Sequence, residues 1–326
     1  MPKSSQTHVD SMLTNLSVAY IQSSDAFVAD KVFPNVDVQK KSDRYFVYDK
    51  DDFMRDEAKE RAAGTESATG DYDIDNTPSY FCRRYAFNKK VTDEDLANSD
   101  SPLKPFEDAT NFVTHKMLLA RERIFATKYF GANLWGTNVG GVASSPSAGT
   151  SFIKWSDYSS STPGKDIRYL KKLILSTTGF KPNTLTISYD VYSTLLDHPA
   201  IKDNIKYVMV ANPGQVTSVL AQYFDIKKLV IAESVVNTAA KGATANTGFQ
   251  LSNRALLTYA PDSPGLQTPS AGYIFPWTGL MGSGAYGTAI SKWWNQDLKA
   301  YKVEGEMYFD CKVVCKDLGA YMSDVI

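Results

Sequence analysis

The chain is poor in the residues that carry most metal and thiol chemistry. It has three cysteines and three histidines in 326 residues. The histidines lack the spacing of a zinc protease, and none accompanies a cysteine motif. An odd number of cysteines does not form a disulfide framework and suits a reducing compartment. We therefore predict neither a metal site nor a catalytic site, and we interpret Cys82, Cys311 and Cys315 as small buried hydrophobic residues.

The chain also lacks an excess of charge of either sign and lacks long apolar runs. The 35 basic and 36 acidic residues leave a net charge of -1, which gives no general attraction to nucleic acid and disfavours tight DNA binding. No run of about 18 apolar residues occurs, and the first residues lack an apolar signal-peptide core. We expect a protein that does not cross a membrane. Its 43% hydrophobic residues are enough for a sizeable core, divided into two lobes.

Two motifs imitate ligand sites without their context. Gly282–Gly287 fits G-x-G-x-x-G but leads into an apparent strand, so no helix N-terminus faces a pyrophosphate, and we predict no cofactor. Asp71–Asp75 imitates the start of a calcium loop, but Asn76 stands in place of the turn glycine and Cys82 in place of the bidentate glutamate. These carboxylates form either a solvated strand face, a contact with a neighbour or an improvised calcium site, and we favour the first two.

What the chain does have is a polar hairpin with almost no apolar residues for a core of its own. Tyr45–Tyr48 is predicted as one strand and Tyr80–Phe87 as its return, and charged residues, Gly and Ser/Thr dominate Asp49–Thr77 between them. An isolated two-stranded arm is marginally stable in water. It becomes stable across another molecule, which indicates a subunit made for assembly.

A long helix is predicted directly after the hairpin, from Pro102 to Phe130. Ser101 is a suitable N-cap, and Gly131 can close the helix in a left-handed conformation. At 1.5 Å per residue the helix would extend roughly 40 Å. The alternative interpretation is an ordinary core helix of an enzyme. One apolar stripe runs along the predicted helix: Phe106, Ala109, Val113, Met117, Ala120 and Ile124.

The rest of the chain indicates an α+β protein. Residues 131–164 have no apolar period and are predicted as a long surface connection. Helices and strands then alternate, as in a mixed α/β lobe, and the chain ends in strands. The predicted elements are helices at 166–178, 191–196 and 216–224, and strands at 185–188, 229–232, 255–259, 287–293 and 301–315.

Several segments carry a resemblance to a known family. They are Phe27–Pro34, leading through Phe46–Asp49 to Arg55–Ala58, then Thr268–Tyr273, and finally Val303–Glu306 with Lys316–Gly319. With these segments, and with its order of arm, charged hairpin, long helix, α/β lobe and final strands, the chain resembles the major capsid proteins of tailed bacteriophages. Those proteins have the Hong Kong 97 shell fold. The resemblance covers nearly the whole chain.

The resemblance implies a division of the chain into an arm, a loop and two domains. The N-terminal arm would be 1–42 and the extended β-hairpin loop 43–85. The peripheral domain would comprise 86–165 and 300–326, with the spine helix at 102–130, and the axial domain would be 166–299. The core face of the spine helix would include Phe106, Val113, Met117 and Ile124.

The same resemblance implies a function. The chain would not be an enzyme; as a major capsid protein it would self-assemble through hexamers and pentamers into the icosahedral or prolate head of a tailed phage. The shell would enclose double-stranded DNA without sequence-specific binding, after assembly in the bacterial cytoplasm, with separate scaffold, portal and decoration proteins as partners. Each loop would lie on a neighbouring subunit, and six charged residues would set its register: Arg55, Asp56, Glu57, Lys59, Glu60 and Arg61.

Two alternatives stay open at this stage. An encapsulin-type nanocompartment shell resembles the same fold but encloses enzymes. An α/β enzyme with an unrecognised carboxylate site would instead be a small oligomer with a deep pocket.

Overall fold

The computed structural model describes residues 21–99, 103–203, 215–265, 267–281 and 288–326. Within them, no helix is both long and apolar enough to cross a membrane. The helices are α1 Lys50–Met54, α2 Asp93–Ala97, α3 Pro105–Tyr129, α4 Pro163–Thr178, α5 Tyr189–Asp197, α6 Val216–Tyr223 and α7 Thr278–Met281. The strands are β1 Ser42–Arg44, β2 Val47–Tyr48, β3 Ile74–Asp75, β4 Ser79–Phe81, β5 Arg83–Thr92, β6 Thr137–Val142, β7 Ser151–Ile153, β8 Thr184–Ser188, β9 Lys228–Ala232, β10 Val235–Asn237, β11 Thr247–Phe249, β12 Arg254–Thr258, β13 Gly272–Pro276, β14 Thr288–Asn295, β15 Ala300–Val313 and β16 Gly319–Ser323.

A six-stranded mixed sheet organises one lobe. Its strand order is β7-β6-β16-β12-β8-β9, and β12 is antiparallel to both of its neighbours. The predicted apolar face of α4, with Ile167, Leu170 and Ile174, joins the same buried cluster as Leu185 of β8. This helix ends at Gly179, whose φ of 74° is a left-handed conformation that glycine adopts without strain.

A second sheet is built around β15. Strand β5 pairs with Ala300–Phe309, while β14 pairs with Ala300–Met307 and β13 with Phe309–Val313. The side chains of Val113 and Met117 lie directly over Gly305, so α3 crosses this sheet at very short range. The apolar cluster between helix and sheet is the larger of the two main cores.

Gly305 is required for this close approach. A Cβ at this position would lie 2.8 Å from Cγ1 of Val113 and 3.0 Å from Cγ of Met117. We expect Gly305→Ala to lower the free energy of unfolding by about 1–3 kcal/mol, the usual cost of overpacking a core. Urea denaturation of the unassembled subunit measures it. Gly248→Ala is the matched control, because a Cβ there has no neighbour within 4 Å in the described structure; equal losses in both variants would contradict the argument.

The long helix is shorter than predicted. Ser101 and Pro102 lie outside the described residues, and α3 begins at Pro105. Lys104 lies outside the helical region, with φ -123° and ψ 84°, because a residue before proline is sterically disfavoured in the helical conformation. Gly131 is not left-handed either; the helix ends at Tyr129, and the N–H of the C-cap residue Phe130 donates to the carbonyl of Ala126.

The predicted connection at 131–164 contains two strands, so this prediction was wrong. Strands β6 and β7 are parallel neighbours at one edge of the six-stranded sheet. Trp135, Phe152 and Trp155 in this segment are buried. The apolar residues are too widely spaced among Gly, Ser and Asn to give a strand period, yet their bulky rings pack against other rings of the core.

The hairpin pairs in a different register from the predicted one. Strand β1 pairs with β4, and β2 pairs with β3. The predicted return at Tyr80–Phe87 is divided, because Arg83–Thr92 leaves the hairpin and pairs along ten residues of β15. Val91 of β5 is buried in the core beside the main sheet, and Tyr85 packs against the same core, which the hairpin does not offer.

The strand pairing also separates the chain differently from the predicted domains. Strands β6, β7 and β16 lie in one sheet with β8, β9 and β12, and β13 and β14 lie in the other with β5 and β15. The C-terminal residues therefore complete the α/β lobe, where Ala320 and Met322 are fully buried.

Candidate assembly surface

The extended loop is exposed to solvent along most of its length. Its two antiparallel ribbons are only two or three residue pairs long. Tyr48, Phe53 and Tyr72 form a small cluster of rings with centroid distances of 5.4–5.9 Å. Several large apolar side chains project outward: Phe46 is 69%, Phe53 59% and Tyr72 50% exposed. Clustered exposed apolar residues mark an interaction surface.

The loop is strongly acidic compared with the whole chain. Between Asp49 and Asp75 it has ten acidic and four basic residues, a net charge of -6. Arg55 pairs with Asp52 at 3.3 Å and with Glu57 at 3.4 Å. Such a surface favours a basic partner.

The other predicted register residues differ in their contacts. The Nε of Arg61 donates to the carbonyl of Thr65 and closes the loop tip. Asp56, Lys59 and Glu60 are exposed and form no hydrogen bond or ion pair with any described residue. The structure thus divides the six into residues that shape the loop and residues available to another molecule.

The loop is not wholly separate from its own subunit. Tyr45 and Tyr80 stack near Phe275, at centroid distances of 5.7 and 4.9 Å, and fix the base of the loop. Further out, Lys50 forms an ion pair with Asp317. Beyond α1 the loop is exposed almost throughout.

A second exposed surface lies on the β15 sheet. Strand β14 pairs only with β15 among the described strands, and Ile290, Trp293 and Trp294 on it are 38–47% exposed. A free edge with large apolar residues is a template for contact with another chain.

The comparisons with known proteins find a phage major capsid protein among the relatives of this chain. No family model matches the chain. The chain is 27% identical over 231 residues to the major capsid protein of Burkholderia phage BcepMu, covering 70% of this chain and 69% of that protein. The predicted resemblance to phage major capsid proteins is confirmed.

Solved structures place the fold in the same group. A phage-related protein from Bordetella bronchiseptica RB50 superposes with a TM-score of 0.67 at 19% identity, over 93% of this chain and 94% of that one. The capsid of cyanophage P-SCSP1u gives a TM-score of 0.54 at 10% identity, over 97% and 92%. The mixed helix-and-sheet fold is therefore that of phage capsid proteins.

An encapsulin shares this fold to a similar degree as several phage capsids. The SrpI encapsulin complex from Synechococcus elongatus PCC 7942 gives a TM-score of 0.51 at 10% identity, over 96% of this chain and 93% of that one. At this identity the similarity concerns the fold alone.

In this capsid-type fold, α3 is buried along the predicted stripe and also on a second side. Val113 is 0%, Met117 6% and Ile124 8% exposed, and Phe106 is half-buried against Tyr301 with a ring distance of 5.3 Å. The second side includes Glu122, which the sequence interpretation missed because an acidic residue in a helix normally faces water.

Glu122 holds the end of the N-terminal arm. Its Oε2 accepts hydrogen bonds from the backbone N–H groups of Val28 and Ala29, both at 3.0 Å. The side chain is 2% exposed, and this burial raises the pKa of Glu122 to about 7. No sequence motif predicts this contact.

The one buried Ser–His pair found in the described structure does not have the polarity of a catalytic pair. Nδ1 of His198 accepts the N–H of Ala200 at 3.3 Å, so Nε2 carries the proton and donates to Oγ of Ser161 at 3.0 Å. A histidine that donates to the serine cannot take its proton. In the same described ranges, no group of three His, Cys, Asp or Glu side chains could hold a metal; Gly282–Gly287 lies outside them.

Proposed function

We infer that this chain is a major capsid protein, which assembles with copies of itself into the shell of a phage particle. The observation that carries this conclusion is the sequence similarity to a phage major capsid protein over most of both chains. The capsid fold over nearly the entire chain agrees with it. The role is structural and not enzymatic, and the location is the virion.

The finer architecture that we propose is of the Hong Kong 97 type. The arm is 1–42 and the extended loop 43–85, of which residues 1–20 lie outside the described structure. We assign β5, α3 and β13–β15 to the peripheral domain, with α3 as its spine. We assign the six-stranded sheet and its helices to the axial domain, instead of the predicted 166–299, because the sheet pairing supports this division.

We propose that each loop lies on a neighbouring subunit. Three properties support this: the loop is exposed beyond α1, it has a net charge of -6, and it carries outward apolar side chains. Asp56, Lys59 and Glu60 would set the register by contacts across the interface, since charged rim residues determine orientation and partner choice more than affinity. Arg55, Glu57 and Arg61 would shape the loop that presents them.

The proposed shell consists of hexamers and pentamers with icosahedral or prolate geometry. It encloses double-stranded DNA without sequence-specific contacts, which agrees with a net charge of -1. Separate scaffold, portal and decoration proteins are its proposed partners, and assembly is proposed in the bacterial cytoplasm. The family resemblance supports these points.

Purified protein should form closed megadalton particles. Sedimentation velocity and electron microscopy of the purified chain measure this, and a uniform small oligomer with no shells at any protein concentration would contradict the proposal.

Particles isolated from a native lysate should contain nuclease-protected double-stranded DNA. Protein cargo in place of DNA would favour the encapsulin alternative, which the SrpI similarity supports at the level of fold.

A further inference from the structure

The segment Phe27–Phe33 is buried against α3. Phe27, Val28 and Ala29 are 0–1% exposed, and Phe33 is 3% exposed. The ring of Phe33 lies 4.4 Å from that of Tyr129. This segment precedes the extended loop by about ten residues, so it anchors the chain before the loop leaves the body.

One carboxylate of α3 binds the backbone of this segment directly. Oε2 of Glu122 is the shared acceptor for the N–H groups of Val28 and Ala29 at 3.0 Å. Loss of this acceptor would break two buried hydrogen bonds, and breaking a buried hydrogen bond is costly. The hold of the segment on α3 is therefore coupled to the state of the Glu122 side chain.

Few other charges face this carboxylate. On α3 itself, Arg121 is adjacent and pairs with Asp30 of the arm at 3.3 Å. His115, earlier on the helix, packs against Phe27 at 6.1 Å. From β9, the Nζ of Lys228 donates to the backbone carbonyl of Lys31 in the same segment. The hydrogen bonds from Ala29 and Val28 lower the pKa of Glu122, as does Arg121, whereas Asp30 raises it; each of these effects is smaller than that of burial.

We propose that the segment Phe27–Phe33 is a latch on α3 whose strength is set by the protonation state of Glu122, tight in mild acid and weaker at neutral pH. Release of the segment would expose Glu122 to water, where the side chain ionises readily. A proton on Glu122 therefore favours the docked segment. The proposal concerns a single subunit and does not rest on assembly into a shell.

The sign of the pH dependence follows from the two states. In the docked state burial raises the pKa of Glu122 from 4.5 to about 7, and in the released state the pKa returns towards its ordinary value. The extra hold is complete below the released-state pKa and is lost as the pH rises through the docked-state pKa. The docking equilibrium constant should fall about tenfold per pH unit between these limits and then level off.

Hydrogen exchange of the Val28 and Ala29 amides in the full chain tests this directly. Their protection, corrected for the intrinsic pH dependence of exchange, should fall about tenfold per pH unit from roughly pH 5 to pH 7 and be constant above it. The wild-type series alone decides the matter: protection that is constant from pH 5 to pH 8 would overturn the proposal.

Two variants identify the titrating group. Glu122→Gln keeps the shape and an acceptor oxygen but cannot ionise, so its protection should be independent of pH. Asp30→Asn removes the other carboxylate nearby, which is 41% exposed; it should keep the slope and move the plateau to lower pH, because Asp30 raises the pKa of Glu122. A slope that persists in Glu122→Gln, or one that disappears only in Asp30→Asn, would assign the effect elsewhere and overturn the proposal.

Discussion

A subunit that carries Arg55→Glu together with Arg61→Glu is expected to fold but to build no closed particles. Both residues lie in the exposed part of the loop, so the two cores lose no contact. Glutamate at position 55 would face Asp52 and Glu57, and at position 61 it would lose the hydrogen bond that closes the loop tip. Each loop contact is repeated in every copy, so a modest loss per contact becomes a large loss for the shell.

Sedimentation velocity and electron microscopy measure particle formation, and far-ultraviolet circular dichroism measures folding. Arg55→Lys with Arg61→Lys is the matched control, because it keeps both charges, and it should form particles. Lys59→Glu separates the two roles of the loop charges, since Lys59 has no partner among the described residues. Intact particles from the Arg55→Glu, Arg61→Glu protein would contradict the assembly role of the loop.

The second large effect is expected from Phe125→Ala in α3. Phe125 is 1% exposed, and its ring lies 5.1 Å from Tyr129, 5.8 Å from Phe130 and 6.3 Å from Phe33. Removal of a buried phenylalanine ring leaves a cavity and typically costs about 3–5 kcal/mol. The free energy of unfolding should fall by this amount, and the arm should lose part of its docking surface because Phe33 packs against the same ring.

Urea denaturation measures this loss, and the assembly-deficient loop protein is the suitable background because it reports on the free subunit. Phe112→Ala is the control on the same helix. Phe112 is 42% exposed, so its removal should cost far less, and similar losses from the two substitutions would show that burial on α3 does not determine stability.

The sequence predicted the elements whose own residues carry a period. Helix α4 and strands β8, β9, β12 and β15 lie where their apolar residues placed them: α4 buries one regular face, and β8 and β12 are short apolar runs buried along nearly their whole length. Strands β6 and β7 were missed because their burial depends on neighbours that are distant in sequence. The pairing register could not be predicted for the same reason, since nothing in Arg83–Thr92 indicates that its partner is β15 rather than the other side of the hairpin.

For the candidate assembly surface too, some features could be predicted from the sequence and others could not. Composition alone indicated an exposed, charged loop, since so few apolar residues between Asp49 and Thr77 cannot form a core. The contacts of Arg55 and Arg61 within the loop, and the burial of Glu122 beneath the arm, arise only in three dimensions. The apolar stripe of α3 predicts one buried side, whereas Glu122 lies on a second buried side that no apolar pattern in the sequence indicates.

The junction between loop and sheet has a mechanical consequence. The returning strand of the loop continues into β5 after a single residue, Cys82, and β5 is registered antiparallel with ten residues of β15. A pull on the far end of the loop is therefore directed along β5, and it loads many ladder hydrogen bonds at once in shear instead of opening them one after another. Tension from outside the subunit is thus carried into the strand on which α3 rests.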